Sequence, residues 1–92
     1  MVNKKILKIR SDLNKLDITL LNIIKKRSLL VNKVIKEKKY KNQIIDKKRI
    51  LSILKRIKTQ SVKMKIDPIL TKRIWSSMIR AYIDYEFRNF KK

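Results

Sequence analysis

With 92 residues the chain holds one modest domain, which buries too little surface to be comfortably stable alone, so self-association is expected. It has no cysteine and no histidine, and its seven carboxylates fall at no metal-ligand spacing, which argues against disulfides, thiolate chemistry, a metal centre and a triad hydrolase. The net charge of +20 invites a nucleic-acid partner, but the lysines are spread along the whole chain instead of gathered in one arm, and Lys, Ile and Asn share A/T-rich codons. No run reaches the ~18–20 apolar residues of a membrane span. The basic N-terminus lacks a long apolar stretch, so no signal peptide is read and the expected location is the cytoplasm, with no membrane partner.

Taken in order, the first forty residues carry no punctuation: glycine is absent and the only proline is Pro68. Apolar residues at Ile6, Ile9, Leu13, Leu16, Leu20, Ile23, Leu30 and Val34 alternate steps of three and four, which predicts one helix over about 3–39 with a packing seam. Such a helix is ~55 Å long, more than a small domain can cover, so a partner chain is expected along it. One seam position between Ile23 and Leu30 is taken by Arg27. A guanidinium there either snorkels, pairs with a structural carboxylate, or meets a bound anion. With only seven acids in the chain the anion is the better answer, and Lys38, eleven residues on, shares the same face.

The stretch Lys39 to Ile45 is the first plausible break. Asp46 then reads as an N-cap, followed by a second helix with Ile50, Ile53, Leu54 and Ile57 on one stripe. Arg49 falls in its first turn, where the helix dipole disfavours a cation; it is either an ordinary exposed arginine or one placed for a purpose. The polar residues from Thr59 to Lys65 predict a loop. Asp67-Pro68 is a sharper start signal, a capping aspartate with proline at the first helical position. The third helix carries Leu70, Ile74, Trp75, Met78, Ile79, Tyr82 and Glu86 along one side, so that Glu86 ends an apolar stripe either as a boundary residue or as a functional carboxyl. No internal repeat or linker divides the chain, which predicts a single all-α domain over 1–92.

The order Arg10, Leu13, Leu16-Asp17, Leu20-Leu21, Arg27, Val34, Lys38 resembles the first helix of the AroQ-class chorismate mutases. Asp46-Lys47-Lys48-Arg49 is similar to that family's Asp-x-x-Arg opening of the second helix, and Ile66-Asp67-Pro68, Trp75 and Met78-Ile79 resemble its third. The resemblance covers nearly the whole chain, and its specific part is the set of four cations at these spacings. It implies three helices in an intertwined homodimer with shared sites, and rearrangement of chorismate to prephenate in aromatic amino acid biosynthesis. It further implies that Arg10, Arg27, Lys38 and Arg49 hold the two substrate carboxylates, that Asp46, Ile50 and Tyr82 also line the site, and that Lys38 and Glu86 meet the ether oxygen as its C–O bond breaks. Such a reaction needs no nucleophile, metal, cofactor or general base; it needs a dianion held in a compact chair and fixed donors at one oxygen.

Three positions depart from the family's pattern. Ile50 stands where a glutamate for the substrate hydroxyl is usual, Tyr82 where a small hydroxyl residue is common, and Glu86 where glutamine is usual. They leave room for low efficiency or for a relative acting on another chorismate-like compound. Two readings from other classes rest on single features: a basic helical nucleic-acid-binding protein on charge, and a ligand-free assembly module on the heptads.

Overall fold

Asn3 opens the first helix by accepting the Lys5 N–H on its side-chain oxygen at 2.8 Å, as an N-cap does. The computed structural model describes residues 3–91, and all of its regular structure there is helical. Helix α1 runs Lys4–Glu37, a short 3-10 helix covers Lys41–Gln43, α2 runs Lys47–Lys63 and α3 runs Pro68–Asn89. The expected long first helix is thus present over 34 residues. It belongs to two compact units, Met1–Lys33 and Val34–Lys92.

In the first unit the seam residues Ile6, Ile9, Leu13, Leu16, Leu20, Ile23 and Leu30 stand 44–63% exposed. Arg27, on the same run, is half-buried.

The second unit holds the buried apolar residues Ile35, Ile44, Ile53 and Phe90, and in it α2 packs along α3. Asp46 caps α2 as expected, accepting the Arg49 N–H at 3.0 Å. Its stripe also follows the sequence pattern, with Ile53 buried and Ile50, Leu54 and Ile57 half-buried.

The expected loop over Thr59 to Lys65 is corrected, because α2 continues through Lys63. Polar side chains do not break the helix here because their hydroxyls bond back to the preceding turn. Thr59 donates to the Lys55 carbonyl at 3.1 Å and Ser61 to the Ile57 carbonyl at 2.6 Å. Ser61 is buried and meets the buried Thr71 hydroxyl of α3 at 2.7 Å, so a polar pair seals the α2–α3 contact.

The connection is short. Lys65 takes a left-handed conformation at φ 58°, the Ile66 N–H reaches the Ser61 carbonyl at 2.9 Å and the Lys65 N–H reaches Val62 at 3.2 Å. These are the two hydrogen bonds of a Schellman stop, made without glycine. Asp67 then caps α3 through the Ile69 N–H at 2.9 Å, with Pro68 in the first turn, as the sequence predicts. Along α3 the apolar stripe is increasingly covered toward its end: Leu70 and Ile74 are exposed, Trp75, Met78, Ile79 and Tyr82 half-buried, and Glu86 buried. No helix among the described residues is long and apolar enough to cross a membrane.

Candidate active site

Lys38 is the first residue beyond α1. Its backbone N–H still joins the helix, shared between the Val34 and Ile35 carbonyls at 3.2 Å each. Its side chain crosses to α3, where Nζ donates to Glu86 Oε1 at 3.0 Å. The two side chains are only 19% and 11% exposed. Each charge answers the other: a shielded ammonium or carboxylate without a partner would cost several kcal/mol, whereas a charge-assisted hydrogen bond between them satisfies both. An ammonium has three donors and Glu86 takes one, so the same nitrogen can serve a second acceptor beside it. A cation and a carboxyl converging on one point is an arrangement able to address a single small oxygen from two sides.

Around this pair the second unit places the other sequence candidates with mixed results. One turn before Glu86, Tyr82 is half-buried and packs edge-on to Tyr85, with ring centroids 6.0 Å apart and planes at 79°. Arg49 lies exposed in the first turn of α2. Asp46, also exposed, gives Oδ1 to the α2 cap by accepting the Arg49 N–H. Ile50 follows on the same turn as a half-buried apolar side chain, which offers no hydrogen bond to a ligand hydroxyl. Arg10 and Arg27 belong to the Met1–Lys33 unit, Arg10 exposed and Arg27 half-buried. Among the sequence candidates, Lys38 and Glu86 are joined side chain to side chain by a direct hydrogen bond, whereas Asp46 meets Arg49 through the backbone N–H.

A recess of about 520 Å³ between α2 and α3 is lined by residues from Leu51 to Lys72 and contains none of these candidates. Its openness to solvent and lack of an ion pair make it the weaker place for this chemistry.

One functional-looking residue escaped the sequence reading. Gln43, inside the break that follows α1, accepts the Lys39 and Tyr40 N–H groups on Oε1 at 2.7 and 2.9 Å. The available signal was an amide side chain in a helix stop that lacks both glycine and proline.

No curated protein and no solved structure matches the chain. The family model described as Chorismate mutase type II, the AroQ class, matches residues 9–87, a span that takes in Arg10, Arg27, Lys38, Arg49 and Glu86. The chain belongs to the type II chorismate mutase family.

Proposed function

We propose that the protein is a chorismate mutase, converting chorismate to prephenate for aromatic amino acid biosynthesis in the cytoplasm as a single-domain homodimer. The observation that carries the reading, beside family membership, is the shielded Lys38–Glu86 pair at 3.0 Å. In the rearrangement one C–O bond breaks as one C–C bond forms within the same molecule, and no group leaves. Negative charge grows on the ether oxygen, and donors already aimed at that oxygen lower the barrier without reorganising. Lys38 donates to it, and Glu86, when protonated, donates from the other side. Arg27 and Arg49, with Arg10 from the partner, hold the two carboxylates and keep the flexible substrate in its reactive chair.

Two observations support the dimer. The α1 seam is bare in a single chain, and a long exposed apolar stripe marks an interaction surface. Arg10 and Arg27 lie 17 positions apart on α1, which is ~25 Å along the axis and ~100° around it, too far for one small ligand. If both serve one site, Arg10 comes from the other subunit.

A relative acting on a chorismate-like compound is the second reading, favoured by Ile50, which replaces a hydrogen-bonding carboxylate with a half-buried alkyl group. Loss of chorismate absorbance with identification of the product tests both. Prephenate upholds the first reading, a different product upholds the second, and no turnover sinks the enzyme.

A further inference from the structure

Helix α1 has 34 residues and ends with no glycine or proline near its last turn. Lys38, Lys39 and Tyr40 follow directly, and nothing in their side chains forbids another turn of helix. In a continued helix the Lys39 and Tyr40 N–H groups would bond to the carbonyls four residues back. Instead both donate to one atom, Gln43 Oε1, at 2.7 and 2.9 Å. A carbonyl oxygen has two lone pairs, and this one uses both on the backbone. The Gln43 N–H returns to the Tyr40 carbonyl and the Ile44 N–H to the Lys41 carbonyl, both at 3.1 Å, and Ile44 is then buried at 3% exposure. The result is a closed turn whose first fixed peptide is the one joining Lys38 to Lys39.

We propose that Gln43 is a positioning residue for Lys38, holding by its side-chain oxygen the turn from which Lys38 reaches Glu86. This rests on the reading of Lys38 as the donor to the ether oxygen. A lysine presents a point charge on a flexible four-carbon stem, so its aim depends on how firmly its Cα is held. Here the N–H of Lys38 is held by α1 and the peptide after it by Gln43. Slippage of ~1 Å at a catalytic donor is enough to cost up to ~100-fold in rate.

The discriminating feature is that, among the described residues, the Gln43 side chain works through its acceptor oxygen. Gln43→Met keeps the length without the acceptor, Gln43→Asn withdraws it by one methylene, and Gln43→Glu keeps it. Gln43→Met and Gln43→Asn should lower kcat on chorismate by about tenfold or more with little change in KM, while Gln43→Glu stays within about threefold of wild type. In a Lys38→Ala background the same substitutions should have no further effect, because Gln43 acts through Lys38. NMR reads the same claim without turnover: hydrogen-exchange protection at the Lys39 and Tyr40 amides and order of the Lys38 side chain should fall in Gln43→Met and persist in Gln43→Glu. Should Gln43→Met not fold, as judged by circular dichroism, Gln43→Asn carries the comparison. A folded variant that lacks the acceptor yet keeps an ordered Lys38 overturns the proposal, as does a kcat loss that persists without Lys38. Wild-type protein inactive on chorismate but with the NMR pattern intact would overturn the mutase reading and leave the role of Gln43 in the turn standing.

Discussion

Glu86 sits at 9% exposure at the end of an apolar stripe, and its one hydrogen-bond donor among the described residues is Lys38. Ionised, it holds the ammonium; protonated, it can instead donate to a ligand oxygen. These two states are incompatible with each other at one oxygen. Glu86→Gln supplies a fixed amide donor of the same length. The kcat/KM of Glu86→Gln on chorismate should therefore match or exceed that of wild type, because the carboxyl must leave the ammonium to donate and the amide need not. A large loss of kcat/KM in folded Glu86→Gln would remove Glu86 from the donor role. Ile50 calls for the opposite change. If the substrate hydroxyl has no partner there, Ile50→Glu should restore a hydrogen bond of ~1–3 kcal/mol, which is about 5- to 150-fold in kcat/KM on chorismate. Thermal stability should drop in the same variant, because a half-buried alkyl group becomes a carboxyl. Reduced activity in a folded Ile50→Glu protein would show a pocket shaped for another ligand.

Among the elements, α2 departs furthest from its sequence pattern. Ser61 looks like loop in the chain and is among the most buried residues of the helix, because its hydroxyl finds the Ile57 carbonyl and Thr71. The turn that follows is made by a lysine where glycine is usual. Lys65 at φ 58° carries the left-handed penalty of a Cβ residue, and its Schellman hydrogen bonds are already in place. Lys65→Gly relieves that penalty at some cost in unfolded-state entropy. The net gain should be ~0.5–1 kcal/mol, or about 2–8 °C in Tm. A lower Tm by calorimetry would mean that the lysine side chain contributes more to the turn than its backbone strain removes.

At the scale of the whole molecule, the question is what covers α1. Seven seam residues at 44–63% exposure leave a continuous apolar face on a chain of net charge +20. A second copy along that face would bury it, and the apolar gain must then exceed the repulsion between two like-charged chains. Shared sites make the sharper prediction. Arg10→Ala and Arg27→Ala chains, each inactive alone, should recover activity when mixed and exchanged, because some heterodimers carry one site with both arginines intact. Demonstrated subunit exchange without recovery would mean that Arg10 and Arg27 do not serve a common site.

Much of this protein could be read from spacing alone, because helix formation, capping and apolar periodicity are local. The long α1, the caps at Asp46 and Asp67-Pro68, and the charges of Arg27, Lys38 and Glu86 set on or beside apolar stripes are all visible in the chain. What the chain could not show depends on residues far from one another. Thr71, ten positions away, makes Ser61 an interior residue. The turn that aims the Gln43 oxygen at two backbone N–H groups is the local exception, made three and four positions away. Lys38 and Glu86, 48 positions apart, meet because α3 carries Glu86 to the end of α1. Local periodicity assigns a side chain to a face of its own helix; its partner across the gap is chosen by packing, which no spacing rule encodes.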